Sequence, residues 1–501
     1  MRLGALLPPL LVAACFVSSA ARAQTVESAS DAVGWGESAS DESAGDAVGW
    51  GGGEATTAES PSEPVDEASA ERATSVGGTV RGDGAMWTER LGDNGFAKAR
   101  FSYDLWLRHR LRRGRLVLGL HGEQDFAYLY EPETYDQPTI DVYGSVIRAG
   151  ESYLALETAN AELAIGTQVV NWGHGEMLSV VDLVNPRDMR EPGLMDPMDV
   201  RIPALMSRGS WTNGRTRLEF LWLHEAYFRL RPPPFGTWSL VRTAVLTDPT
   251  IAMTPFPSYV DTRDVYWQQS PRRVSVESQQ VFARVTRTLG PVDLGFYAAD
   301  YLDPIGTATL PEASAWANAA VYVPLDHLRT NTIGASVSFV HRDLSGWLEV
   351  GCDIRRPVNT VDFATFGIGT ERRTLFRWTL GVRYQGLRDT TIALEYGQGT
   401  QQGPGGSDYP LLVPIFPATL AARVERSFAR ERLRAMIVAA LNGEHLAGGG
   451  FARAQLAYVP IDGLTLSIGY AIYFPTDTPS LVWGFTTNDR LMVGVRYDFA
   501  R

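Results

Sequence analysis

Leu375-Phe-Arg-Trp-Thr-Leu-Gly-Val-Arg-Tyr384 has a period of two. Phe376, Trp378, Leu380, Val382 and Tyr384 alternate with Leu375, Arg377, Thr379, Gly381 and Arg383. Successive side chains of an extended chain point to opposite faces, so this strand has an apolar face and a face bearing arginine. The pattern recurs along the chain. Ala99, Phe101, Tyr103, Leu105 and Leu107 alternate with Lys98, Arg100, Ser102, Asp104, Trp106 and Arg108. Leu163 and Ile165 lie opposite Glu162 and Ala164, and Leu464 to Ile472 repeats the same spacing. Leu491, Val493, Val495, Tyr497 and Phe499 stand against Arg490, Gly494, Arg496 and Asp498.

A soluble sandwich would bury the apolar faces against each other. A membrane barrel turns them to lipid and its polar faces to a lumen. The connections decide between the two. Short turns at 112–114, 158–160, 212–215, 289–291, 342–345, 385–388 and 460–463 alternate with long connections near 129–144, 171–202, 225–277, 302–330, 355–372, 399–417 and 474–487. Every short turn falls at one end, as in barrels with short periplasmic turns and long outer loops. Tyr103, Tyr384, Tyr396, Tyr458, Tyr473 and Tyr497 lie towards strand ends, as in an interfacial girdle. The expected fold is therefore all-β: a transmembrane antiparallel β-barrel of about 16–18 strands, preceded by a disordered acidic arm. Seventeen strands can be read directly, and parity calls for one more, near Val80–Trp87 or within 237–247. Leu420–Leu441, rich in Ala, Arg and Glu, would read as helix in isolation; its context makes it two strands joined near Arg430-Glu431.

The N-terminus reads differently. Arg2, the apolar stretch Leu3–Val17 and the small-x-small site Ala21-Arg22-Ala23 form a secretory signal, giving a cleaved segment 1–23. A rival reading takes Leu11–Cys15 as a lipoprotein box with Cys15 lipidated. Residues 24–79 hold twelve acids and one base, few large apolar groups and a repeat, Asp31–Gly36 recurring as Asp46–Gly51. Such a segment cannot offset its chain entropy by burial, so an arm over 24–79 and a barrel over 80–501 are expected. The net charge of −12 then divides into +2 for 1–23, −11 for 24–79 and −3 for 80–501, which argues against nucleic acid. A mature chain holding only Cys352 can form no internal disulfide.

Within the barrel, Gly166-Thr-Gln-Val-Val-Asn-Trp-Gly173, Val181-Asp-Leu-Val-Asn-Pro-Arg-Asp188 and Arg201-Ile-Pro203 stand out. They resemble an uncharacterised proteobacterial outer-membrane barrel family carrying a Gly-Arg-Gln-Val-Val-x-Trp-Gly strand end and an Asn-Pro-x-Asp loop. Thr167 stands where that family usually has Arg, and His174-Gly175 where it commonly has Glu-Ser. The resemblance implies an outer-membrane location and a transport role, often linked to efflux-type or lipid-related export. It supplies neither substrate nor catalytic residues.

Physically, 171–202 is a strand top entering a long loop. Asn185-Pro186 starts a turn, and Asp182 and Asp188 can bond backbone or Arg187 and Arg190. The loop is either a structural strap on the wall or a constriction whose charges set selectivity. Its candidate residues are Asn171, Trp172, Gly173, Asp182, Asn185, Pro186, Arg187, Asp188 and Arg190. Candidate lumen-facing residues are Lys98, Arg100, Asp104, Arg108, Arg377, Arg383, Arg490 and Arg496. His224-Glu225 lacks the second His of a zincin, and no Gly-x-Ser-x-Gly elbow is present, so no enzyme, metal or cofactor is expected. The expected function is a porin-like channel or transporter for a small or amphipathic solute; the alternative is a non-conducting accessory barrel of an export system. Expected partners are outer-membrane lipid, the barrel-assembly machinery (which commonly reads a terminal aromatic; here Phe499 lies two residues inside) and a periplasmic partner of the arm.

Overall fold

The computed structural model describes residues 73–500, except 89–95, 131, 133–134, 195–199, 235, 239–263, 270–271, 310–317, 319, 363–366, 403–417, 475–484 and 486. The export signal and most of the acidic arm lie outside the described residues. Period-two alternation builds one closed antiparallel barrel of eighteen strands. The first five are β1 Thr74–Trp87, β2 Phe96–Leu111, β3 Gly114–Asp125, β4 in two pieces (Ser145–Ala149 and Ser152–Glu157) and β5 Ala161–Gln168. Next come β6 Ala204–Asn213, β7 Thr216–Leu223, β8 Gln280–Leu289, β9 Val292–Leu302 and β10 Arg329–His341. Then follow β11 Leu344–Asp362, β12 Gly367–Leu387, β13 Thr390–Gln402 and β14 Thr419–Phe428. Last are β15 Leu433–Asn442, β16 Gly450–Ile461, β17 Leu464–Phe474 and β18 Arg490–Ala500. Each strand pairs with its neighbours in sequence, and β1 pairs with β18 from Gly77↔Ala500 to Trp87↔Arg490, so no edge is left open.

The strand demanded by parity is β1. It begins at Thr74, inside the stretch assigned to the arm, because Thr74 to Thr79 is too small and polar to show an apolar face. Leu420–Leu441 forms β14 and β15, joined by a turn with Ala429, Arg430 and Glu431 at positive φ. The outer wall is apolar: Leu105, Leu163, Phe220, Phe296, Leu380 and Val493 are exposed on it. The opposite phase of the same strands holds Arg100, Glu219, Glu349, Arg377, Glu395 and Arg496, all buried inside. Lipid outside and polar groups within is the solution a bilayer imposes on a closed sheet.

Two expectations are corrected. The long connection expected at 355–372 is strand instead. β11 and β12 are 19 and 21 residues long and pair out to Asp362↔Gly367. A bulge between Asp353 and Arg356 shifts the register there, with Arg355 at φ 59°, which hides the alternation from a period-two reading. Spanning takes about 9–11 residues, so this hairpin projects well past the membrane. Tyr473 is no girdle residue either. It is buried inward against Trp238 and Phe485, while Tyr384, Tyr458 and Tyr497 are exposed on the outer wall.

Candidate functional site

β5 ends at Gln168 and β6 begins at Ala204. The chain between them folds into the barrel and crosses it. Asn185 ties its base: Val170 N–H donates to Asn185 Oδ1 (2.7 Å), and Asn185 Nδ2 donates to the carbonyls of Gln168 and Ile202 (both 2.9 Å). Ile202 N–H donates to Pro186 O (2.8 Å), so the Asn-Pro step is the point where the outgoing and returning chains are joined. Asp182 receives Arg187 Nη2 (2.9 Å) and Arg201 Nη2 (2.8 Å). Burial works to raise the Asp182 carboxyl; the Arg201 and Arg187 guanidiniums outweigh it and hold it below its ordinary value.

From Val170 to Val184 the segment lies on an apolar patch of the inner wall. Val170, Trp172, Val180, Val181 and Val184 pack with Met206, Leu221, Leu223, Phe282 and Tyr297 from β6 to β9. Trp172 meets Phe282 edge-on (6.0 Å), carries Arg284 over its ring (5.4 Å) and donates Nε1–H to Glu219 Oε2 (2.8 Å). Asn171 Oδ1 accepts Gly173 N–H (3.0 Å). Gly173 passes so close to Ser179 that a side-chain Cβ there would lie 2.7 Å from the Ser179 Cβ.

Two wall carboxylates then hold the backbone itself. Glu349 of β11 accepts His174 N–H (2.6 Å), Ser179 Oγ–H (2.7 Å) and Val180 N–H (3.0 Å). Glu395 of β13 accepts the N–H groups of Glu176 (2.7 Å), Met177 (3.1 Å) and Leu178 (2.5 Å). Between these anchors the Glu176 carboxylate pairs with Arg383 of β12 and Arg423 of β14.

The far side is held by charge. Asp188 N–H donates to Val200 O (2.6 Å), and its carboxylate receives Arg190 Nη2 (2.6 Å). Arg190 also pairs with Glu123 of β3, donates to Val142 O (3.0 Å) and accepts Tyr143 Oη–H at its own carbonyl (2.7 Å). Glu191 pairs with Lys98 and with Arg100 (3.2 Å), both on β2. Burial would raise the Glu191 carboxyl, but Arg100 and Lys98 bring it down to about 2. In an eighteen-strand ring β2 and β11 lie half a circumference apart, so the segment is anchored at opposite walls.

The remaining lumen candidates fall on the inner face. Asp104 receives Arg81 (3.1 Å) and His121 Nδ1 (2.6 Å), and Arg377 donates to Asp353 (3.0 Å). Arg496 pairs with Asp498 (2.9 Å), and Arg108 lies over Trp106 at the short-turn mouth (4.6 Å). Arg490 is clasped between Trp87 (4.1 Å) and Trp238 (4.2 Å). Under the segment, beside Leu194, a cavity of about 120 Å³ lies along β1–β3 and β16–β18, lined by Lys98, Arg100, Arg453 and Arg496 among others. Sequence reasoning missed Glu219, Glu349 and Glu395. Each is a buried carboxylate at an inward-phase position flanked by apolar residues, and that placement is the signal that could have marked it.

No curated protein matches the chain in sequence. Among solved structures it is similar to OccAB1 of Acinetobacter baumannii (TM-score 0.49, 10% identity, covering 86% of this chain and 97% of that one). It is also similar to Pseudomonas aeruginosa OpdK with vanillate (0.45, 11%, covering 85% and 99%) and to Salmonella typhi OmpF in complex with daunomycin (0.39, 7%, covering 85% and 97%). The family model described as protein of unknown function DUF1302 matches residues 94–408, and the chain belongs to that family.

Proposed function

We propose that this is an outer-membrane channel or transporter of porin-like type, narrowed by the segment 169–203. The single observation that supports it is the wall-to-wall anchoring of that segment, from Glu349 on one side to Lys98 and Arg100 on the other. A segment so held divides the lumen and leaves a charged passage beside it, where Arg100, Arg453 and Arg496 face the cavity. Charged side chains at a constriction select solutes by charge and size. The candidate constriction residues act here as anchors: Asn185 and Pro186 close the base, Trp172 and Gly173 fit the wall, and Asp182, Arg187, Asp188 and Arg190 fix the course of the chain. The solute of this reading is small or amphipathic.

A second reading rests on a different observation. Tyr128, Tyr143, Trp238 and Phe485 from the long connections pack with Phe451 and Tyr473 of the wall into one apolar cluster above the segment. A mouth filled in this way favours a non-conducting accessory barrel. Planar-bilayer recording separates the two. A channel shows stepwise conductance that rises and changes its ion selectivity when 174–198 are deleted. Unchanged conductance and selectivity after the deletion sink the constriction, and silence from both proteins supports the accessory role.

A further inference from the structure

We infer that the outer wall carries a binding site for a phosphorylated membrane lipid at the bulge where the β11–β12 hairpin leaves the membrane. Three outward-phase arginines converge there from three adjacent strands: Arg329 of β10, Arg355 of β11 and Arg372 of β12. Arg372 reaches across the bulge and donates Nη1–H to Arg329 O (2.7 Å) and Arg355 O (3.0 Å), which brings the three residues together. One carboxylate faces them. Asp300 pairs with Arg329 and accepts Asn331 Nδ2–H (2.6 Å). The neighbouring Glu277 carboxylate is engaged by Arg273 (3.6 Å). Among the described residues, the Arg355 guanidinium has no hydrogen-bond or ion-pair partner, and Arg372 has no carboxylate. Two arginines joined by the Arg372 Nη1–Arg355 O bond thus carry unused guanidinium donors on an outer surface.

The chemistry that satisfies such a pair is a phosphate monoester or diester, because planar guanidinium forks match its oxygens bidentately. The wall below supplies the rest of the ligand. Ile333, Ile354 and Phe376, on the same three strands, are 54%, 37% and 44% exposed on the outer face immediately beneath the arginines. Headgroup phosphate on the guanidiniums and acyl chains along these apolar side chains describe a lipid, whereas free phosphate would leave the apolar part without a role. In an outer-membrane barrel with short periplasmic turns, as the proposed function takes this chain to be, the end bearing the long connections is the cell-surface end. The site therefore rests on that orientation and takes its ligand from the outer leaflet. The bulge itself serves the site: it offsets Arg355 from the alternation, placing it beside Arg372 rather than across the wall.

The test is titration of the detergent-purified full chain with diphosphoryl lipid A, with the same glycolipid stripped of phosphate, and with inorganic phosphate, read by native mass spectrometry. The diphosphoryl lipid is expected to bind and the stripped lipid not. Arg355→Ser should weaken binding by roughly tenfold, the scale of one charge-assisted hydrogen-bonding group. It removes no side-chain contact of the described structure, so lost binding cannot be assigned to unfolding. Arg287→Ser, an exposed arginine near the short-turn end of β8, should leave binding unchanged. Equal binding by the stripped lipid, equal binding by the Arg355→Ser protein, or inorganic phosphate binding as tightly as the lipid overturns the proposal. None of these readouts depends on conductance, so failure of the channel reading stays distinguishable.

Discussion

The two ends of the crossing segment are held by opposite means. Val170–Val184 sits on an apolar wall, with Trp172 buried between Phe282, Tyr297 and Arg284. Asp188–Glu191 is held by ion pairs to Glu123, Lys98 and Arg100. Burial of apolar surface is non-directional and is not weakened by ionic screening, so the first end is a permanent strap. Ion pairs depend on the charge state and presence of every partner, so the second end is the one that conditions can release. The Glu349 and Glu395 anchors lie between the two in kind, since they grip backbone N–H groups, which among side-chain replacements only proline removes.

The comparison breaks most readily at Trp172. Trp172→Ala empties a packed site and leaves Glu219 without its indole donor, at a cost of about 3–5 kcal/mol. The strap should then lift from β6–β9, lowering the heat-modification temperature and raising conductance. An unchanged melting profile would show that the apolar end is not what holds the segment. Glu191→Gln should cost less, about 2–3 kcal/mol, by removing the charge that Lys98 and Arg100 share. Its conductance should rise while barrel melting falls less than in Trp172→Ala, because the apolar strap persists. If melting falls as far as in Trp172→Ala, the two ends are not independent. Gly173→Ala is expected to cost about 1–3 kcal/mol through the clash with Ser179, and Ser179→Gly in the same chain should recover part of it.

Much of this was legible in the sequence, for physical reasons. Alternation such as Phe376 to Tyr384 cannot be satisfied by a helix, and turns such as Asn213-Gly214 mark where strands reverse. Trp172 to Asp188 stood out because an indole, an Asn-Pro step and paired Asp and Arg residues in a loop need partners. The β11–β12 extension was hidden because a bulge at Arg355 reverses the phase, and because a hairpin beyond the membrane needs no apolar face. The partners of the segment were hidden for another reason. Glu349 and Glu395 are far away in the chain, and only closure of the barrel brings them to residues 174–180.

The smallest expected effect, and the finest test of the contrast, is with pH. The Glu191 carboxyl is held at about 2 against an ordinary value of 4.5. A carboxylate depressed on folding contributes stability that is fully present above its unfolded value and is lost as pH falls through its folded value. The charged end should therefore stay attached from neutral pH down to the ordinary value of 4.5, loosen progressively below it and be released near 2. The apolar end around Trp172 is held by packing, and the wall carboxylate that takes its indole N–H, Glu219, is itself paired with Arg284 and Arg208. Tryptophan fluorescence of Trp172 in a background lacking the other tryptophans should stay constant over the interval in which conductance rises. A fluorescence change that tracks the conductance would mean that protonation at Glu191 is transmitted along the whole segment, and the two ends would have to be treated as one cooperative unit.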